Sequence, residues 1–222
     1  MLFALGEPFV FAGLLLSFLL ALVLRAIAIR FTARSLGLAD RREPVAPRLR
    51  EDVDPFGAVA AAVGGPGWGR IIDVDEIHRG RGRGRAALVF LAGPVTVLIA
   101  AQLALLAFRL LYPDTLVFLR VSDVLRGLFD APIGAQLLLG VAGGLLAFGL
   151  LALLPIPPLD GFGLLWSAQR VPGRGMQGYR LWFQEKNLGV VVLLACCFLP
   201  LSYPLILLPV DLVGTVFLRL WG

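Results

Sequence analysis

The chain has 222 residues, of which 59% are hydrophobic and 16% charged, and its mean hydropathy is +0.87. A soluble domain has ~45–50% apolar and ~25% charged residues, so this composition excludes an ordinary soluble globule, and disorder needs far lower hydrophobicity. The formal net charge is +5, carried by nineteen arginines and one lysine. These arginines lie between long apolar runs, as in cytoplasmic loops of membrane proteins. That placement predicts a bilayer as the partner and argues against nucleic acid.

Four apolar runs are long enough to cross a bilayer as helices, which takes ~20 mostly apolar residues. They cover residues 8–29, 86–111, 133–154 and 188–209, and a short terminal segment follows at 212–221. The neutral Gln102 in the second run is expected to hydrogen-bond a neighbouring helix. We therefore predict an all-α integral membrane protein of about four transmembrane helices, forming a single membrane domain over 1–222.

A fifth apolar segment, 55–69, is too short to span, with about a dozen apolar residues. One interpretation is a re-entrant segment or half-helix surrounded by protein. The other is a glycine-rich loop at the membrane interface. Both interpretations leave the segment without a full crossing.

The basic residues concentrate in three loops, 30–54, 70–85 and 168–187. If 55–69 re-enters without crossing, all three loops fall on the cytoplasmic side, with the N-terminus outside. This predicts a multi-pass protein of the cell membrane, typical of a bacterial or archaeal plasma membrane. The Arg-Gly repeat Arg79–Arg85 is expected to anchor its loop and to contact anionic lipid.

Three short motifs stand out in the order DPFG (followed by GWG at 67–69), LAGP and LPIPPLDG. Their distinctive residues are Asp54, Pro55 and Gly57; Gly93 and Pro94; and Pro155, Pro157, Pro158, Asp160 and Gly161. In order and approximate spacing the motifs resemble the site-2 protease family of intramembrane zinc metallopeptidases, and LPIPPLDG is the most specific of them. The resemblance covers about residues 15–165.

The resemblance implies a zinc site in the membrane. In that family a span near the N-terminus carries His-Glu-x-x-His, and the aspartate of PLDG is the third zinc ligand. Two histidines four residues apart lie on one helix face, and three protein ligands leave a coordination position for water. Zinc lowers the pKa of that water to about 7, and the glutamate acts as the base.

This chain departs from the family at those positions. The His-Glu-x-x-His window falls on 25–29, where Arg25, Ala26 and Ile29 replace both histidines and the glutamate. Asp160 is the one candidate ligand that remains. The sequence therefore predicts degenerate active-site positions, no catalytic residue, and loss of the zinc cofactor.

His78, the single histidine, lies among arginines in the second basic loop. It is expected to be a solvated loop residue. A replacement zinc site from His78, Asp160 and a cysteine is the alternative, although the neighbouring positive charges would repel a dication. Cys196 and Cys197 are expected to be small buried hydrophobic residues.

Arg25 and Asp160 hold positions that converge on one ion in the family. We therefore hypothesise that the Arg25 guanidinium replaces the metal and pairs with the Asp160 carboxylate, because either charge alone in the membrane costs ~2.5–3.5 kcal/mol on insertion scales. The alternatives are that Arg25 extends to the interface beside Arg30, that Asp54 is its partner, and that Asp160 merely caps a helix.

Three functions remain open. The first is a site-2-protease-like membrane protein without protease activity that binds or regulates a membrane partner, with a groove for the partner's transmembrane segment. The second is an active intramembrane peptidase whose metal ligands are supplied in an unusual way. The third is a small transporter or channel component, for which the spans offer few polar side chains beyond Arg25 and Gln102.

Overall fold

A computed structural model describes residues 1–39, 44–70, 72, 74, 77, 82–113, 119–199 and 204–221. The regular elements of these residues are helices. They are α1 Pro8–Ser35, α2 Leu49–Asp52, α3 Pro55–Gly64, α4 Arg83–Leu111, α5 Val121–Arg126, α6 Ile133–Ala152, α7 Asp160–Ala168, α8 Arg174–Arg180, α9 Leu188–Phe198 and α10 Leu207–Arg219. A 3-10 turn, Leu2–Ala4, precedes α1, and a π-helical turn, Leu181–Glu185, continues α8.

Three of the described helices, α1, α4 and α6, are long and apolar enough to cross a membrane. They match the first three predicted runs. Helix α1 continues past residue 29 to Ser35, so Arg30 and Arg34 belong to its last turns. Positive charge is favourable there, because the carbonyl end of a helix is negative. Gly37, with φ of 70°, lies just beyond the helix end.

The three long helices pack directly on one another. Gly13 of α1 faces α6 so closely that a Cβ at this position would lie 2.5 Å from the Leu137 carbonyl oxygen. Gly140 of α6 also lies close to α1, where a Cβ would come within 2.9 Å of the Val10 carbonyl oxygen. Membrane helices without a hydrophobic driving force between them associate through such small residues. Gly13 and Gly140 therefore let α1 and α6 approach each other closely.

The predicted fourth span, 188–209, is not a single helix. Helix α9 ends at Phe198, and α10 begins only at Leu207. Pro200 and Pro204 explain the break, because proline lacks the N–H donor and disfavours helical geometry in the residue before it. The segment Arg174–Glu185 and α9 together pass the length and apolarity test as a bent pair, at 65° to each other. A count of four spans is reached only if this pair is one span.

The segment 55–69 packs first against α9, as α3, and then turns back against α1. Helix α3 has ten residues, and the chain then returns so that Gly69 forms an antiparallel bridge with Val53. The far end of α3 lies near the start of the chain, where the Met1 ammonium donates to the Ala61 carbonyl oxygen at 3.0 Å. Its near end follows Asp52, which pairs with Arg30 in the last turns of α1. Both ends of the segment thus lie side by side, so 55–69 turns back without a full crossing, as both interpretations of it require.

Two polar contacts, one buried and one partly buried, attach α10 to the rest of the molecule. The Asp211 carboxylate accepts a hydrogen bond from the Ser122 backbone N–H of α5 at 2.8 Å. The Trp221 indole N–H, just past α10, donates to Gln102 Oε1 at 2.9 Å. Gln102 therefore has the packing role that the sequence predicted. These bonds hold a short helix that is apolar on its outer face.

Candidate functional site

Arg25 and Asp160 form a buried ion pair between α1 and α7. Arg25 lies in the second half of α1, and Asp160 is the first residue of α7. The arginine donates from Nε to Asp160 Oδ2 at 2.6 Å and from Nη2 to Oδ1 at 2.5 Å. This fork-to-fork geometry is the strongest arrangement that arginine makes with a carboxylate. The hypothesised pairing of these two residues is confirmed.

Both partners are withdrawn from solvent. The side chain of Arg25 is 7% exposed and that of Asp160 is 2% exposed. Arg25 therefore does not extend to the interface, and that alternative is wrong. Removing both charges from water is costly, and close pairing with hydrogen bonds to both carboxylate oxygens offsets the cost. Each charge depends on the other for its burial.

Asp160 is not the cap of its helix. The N-cap position of α7 belongs to Leu159, and the Asp160 carboxylate turns to Arg25 instead. Its location in the first turn is still favourable for a negative charge, because the amide end of a helix is positive. The alternative in which Asp160 merely caps a helix is therefore wrong.

Glycines of the motifs make room around the pair. Gly93 of α4 lies against α1, where a Cβ would come within 2.9 Å of Arg25 Cγ and 3.0 Å of Ile29 Cδ1. Gly161 faces the carbonyl groups of Leu153 and Leu154 too closely for any side chain. The first contact lets α4 approach the arginine stem. The close packing at Gly161 lets the chain turn tightly after α6, and this turn brings Asp160 into contact with Arg25 of α1.

Asp54, the alternative partner considered for Arg25, has a different role. Its Oδ1 accepts from the Phe56 backbone N–H at 2.9 Å, which caps α3. Its Oδ2 accepts from the Trp68 indole N–H at 2.8 Å. Gly57 packs against the Trp68 carbonyl without space for a Cβ. The DPFG and GWG motifs therefore close the segment 55–69 on itself.

Sequence reasoning missed a second ion-paired cluster beside the site. Arg30 donates to both carboxylate oxygens of Asp52, at 3.1 and 2.5 Å. Arg48 pairs with Glu51 at 3.0 Å. The basic loop 30–54 showed arginines near acidic residues, but only the return of the chain at α2 decides which of them meet.

The residues at positions 25, 26, 29 and 160 do not fit zinc. The resemblance aligns Arg25 with the first histidine and Asp160 with the remaining ligand, and in the structure the Arg25 guanidinium takes both oxygens of that carboxylate. Ala26 and Ile29 have no donor atom for a metal. Within the described ranges, no group of three or more His, Cys, Asp or Glu side chains is arranged to hold a metal ion. His78 lies outside the described residues, and so do Arg79 and Arg81 of the Arg-Gly repeat.

Residues of two motifs line one cavity on the flank of the site. This flank cavity has a volume of about 810 Å³, and Asp54, Pro55, Pro157 and Pro158 belong to its wall. The opposite wall comes from the π-helical turn and α9. Its apolar lining includes exposed side chains, among them Phe56 at 55% and Val191 at 58% exposure. Charged residues such as Arg50, Glu51 and Arg70 also line it. The motifs thus border a recess of mixed apolar and charged lining as well as the buried pair.

Comparison with known proteins gives one partial similarity. A protein of Bacillus subtilis (strain 168) described as "Putative zinc metalloprotease YwhC" is 33% identical to this chain over 114 residues, 51% of this chain and 48% of that protein. The chain thus spans about half the length of the curated relative it matches. No protein-family model matches the chain, and no solved structure matches it. With the three long apolar helices, this similarity is consistent with a site-2-protease-like, multi-pass membrane protein.

Proposed function

We propose that this chain is a catalytically inactive relative of intramembrane zinc proteases that binds or regulates a membrane partner. The observation that carries the proposal is the buried, two-hydrogen-bond pair of Arg25 and Asp160. It stands on the two positions at which the resembled family converges on its metal. The guanidinium cation of Arg25 takes the place that a zinc ion would need.

The residues present lack the groups that hydrolysis of a peptide bond would use. A zinc-activated water needs open coordination and a neighbouring base. Ala26 stands where the base glutamate would be, and its methyl group cannot accept a proton. Both carboxylate oxygens of Asp160 accept hydrogen bonds from Arg25 and are not available to a metal. This inventory supports loss of proteolysis together with zinc.

The ion pair can hold two elements together as a metal ion would. In the resembled family, the metal joins the helix that carries the histidines to the segment that carries the aspartate. Here Arg25 joins α1 to α7 directly, through side chains that are almost fully buried. Such a pair keeps the helices in register, so the scaffold is preserved without the chemistry.

The flank cavity supports a binding role. Its wall combines the start of α3, the Pro157-Pro158 turn and α9, with apolar side chains such as Phe56 and Val191 open to the outside. The exposed apolar part of this recess suits a transmembrane segment of another protein, which offers an apolar surface of its own. We take this recess as the contact site for the partner.

Metal analysis of the purified full chain tests the first half of the proposal. We expect no stoichiometric zinc after purification in zinc-containing buffer, and none gained or lost in Asp160→Ala. Stoichiometric zinc that disappears in Asp160→Ala would overturn the proposal. It would favour the active peptidase suggested by the printed name of the Bacillus protein.

Site-specific photocrosslinking in native membranes tests the second half. A crosslinker at Phe56 or Val191 faces the flank cavity, and one at Leu103 of α4, 62% exposed, is the matched control on a long apolar helix. We expect the two cavity positions to capture the same membrane-protein segment and Leu103 to capture none of it. Equal capture of that segment at all three positions would contradict a partner site in the cavity.

A further inference from the structure

A second cavity, which we call the arginine cavity, opens beside the last turns of α1. Its volume is about 620 Å³, within the ~300–1,000 Å³ range of small-ligand sites. Its apolar lining includes Ala26, Ile29 and Ala33 of α1 together with Val89 of α4. Charged side chains of α1, α2 and the chain after α3 line the same cavity. The cavity thus offers both apolar and charged surface to a ligand.

The charge of the arginine cavity is unbalanced. Among the described residues, five arginines line it against two carboxylates. Arg30 and Arg48 use those carboxylates, and Arg25 is paired with Asp160. The remaining two, Arg34 and Arg70, form no ion pair within the described part of the chain, and both are exposed. Two guanidinium groups are therefore available to an anion.

We propose that the arginine cavity binds the phosphate headgroup of an anionic phospholipid, with the adjoining apolar part of the lipid against α1 and α4. Arginine is the side chain best suited to phosphate, because its planar fork donates two parallel hydrogen bonds. The cavity lies at the arginine-bearing end of a helix long enough to span the bilayer. Lipid headgroups are concentrated at that level, so a lipid is favoured over a free anion.

This inference is independent of the proposed loss of zinc. It uses Arg34 and Arg70, neither of which contacts the Asp160 carboxylate. A bound lipid would contact the cavity lining that α1 and α4 provide, while Asp160 stays enclosed behind Arg25. The lipid site would persist if the protein proved to hold a metal. Conversely, a failure to bind lipid would leave the zinc result unchanged.

Titration of the purified full chain in detergent, read by native mass spectrometry, tests the inference. The probes are dioctanoyl phosphatidylglycerol, dioctanoyl phosphatidylcholine and inorganic phosphate, each added alone. The test variant is Arg34→Gln with Arg70→Gln. The matched control is Arg170→Gln with Arg174→Gln, which removes two exposed arginines of another basic loop that do not line the cavity.

We expect phosphatidylglycerol to bind one-to-one and more tightly than either other probe. Loss of both cavity arginines should weaken it about thirtyfold, since each arginine near the membrane surface contributes about fivefold. The control should bind as the unaltered chain does. Arg34→Lys with Arg70→Lys should weaken binding less than the glutamine variant, because charge remains while the fork is lost. This variant also serves as the test if the glutamine variant does not fold.

Three results would overturn the inference. Equal weakening in the control would show that only general surface charge attracts the lipid. Equal affinity for phosphatidylcholine would show that the net charge of the headgroup is not recognised. Inorganic phosphate binding as tightly as phosphatidylglycerol would make this a free-anion site rather than a lipid site.

Discussion

Arg25 and Asp160 are 135 residues apart in the chain, yet they share two short hydrogen bonds inside the helix bundle. By the resemblance of the motifs, their positions correspond to those of two zinc ligands in the site-2 protease family. The fold brings the two positions together through a direct ion pair. Because the pair is buried, its effect on stability is measurable by mutation.

Removing one partner of the pair should be strongly destabilising. Arg25→Met or Asp160→Leu alone leaves an uncompensated buried charge, which costs about 3–5 kcal/mol. The double variant Arg25→Met with Asp160→Leu removes both charges and should recover most of that loss, because an apolar pair of similar volume is often neutral or stabilising. The free energy of unfolding in detergent measures all three. A double variant as unstable as the sum of the singles would contradict the coupling.

Gly93 should tolerate no added methyl group. A Cβ at this position would lie 2.9 Å from Arg25 Cγ, so Gly93→Ala must displace the arginine stem or separate α4 from α1. Overpacking of this kind costs about 1–3 kcal/mol. Thermal unfolding in detergent is the measurement.

Gly84→Ala in the first turn of the same helix is the control, because nothing lies within 4 Å of a Cβ there. This substitution should be neutral, or stabilising by up to about 1 kcal/mol from better helix propensity. Gly93→Ala that is as stable as Gly84→Ala would show that the close approach of α4 to Arg25 does not matter.

Asp54→Ala should loosen the re-entrant segment. The substitution removes the cap on the Phe56 N–H and the acceptor of the Trp68 indole. Loss of an N-cap alone costs about 0.5–2 kcal/mol. We expect a lower unfolding temperature and faster proteolysis within 55–69.

Two further variants serve as controls for Asp54→Ala. Asp54→Asn keeps one side-chain oxygen and should retain the cap on α3. Asp130→Ala, at an exposed aspartate, should change stability by no more than about 0.5 kcal/mol. If Asp54→Ala unfolds and is digested like Asp130→Ala, Asp54 does not hold the segment closed.

Rebuilding the missing ligands should create a zinc site. Arg25→His, Ala26→Glu and Ile29→His together restore the motif on α1, and both histidine positions face Gly93 of α4. With Asp160 they provide three ligands, so the purified triple variant should hold one zinc ion. Adding Asp160→Ala should lower its zinc affinity sharply. A folded triple variant that holds no zinc would show that the positions do not converge closely enough for a metal.

Hydropathy predicted the three long helices well, because a helix that crosses the bilayer needs an uninterrupted apolar run and the chain contains three such runs. It failed for 188–209, since a hydropathy window does not register that Pro200 and Pro204 break the helix. The Arg25–Asp160 pair was predictable because a resemblance located both residues on one site. The Arg30–Asp52 pair was not, because nothing in the sequence shows that α2 folds back onto α1.

The sequence by itself determined that the chain is a membrane protein and that the window 25–29 contains no histidine and no glutamate. Both follow from residue type alone, since apolarity and metal-binding atoms belong to individual side chains. Only the tertiary structure decided between Asp160 and the alternatives for Arg25, and only it showed that Asp54 binds Trp68 and that 55–69 turns back beside α1. These contacts join residues distant in the chain, and they depend on how closely glycine-lined helices pack.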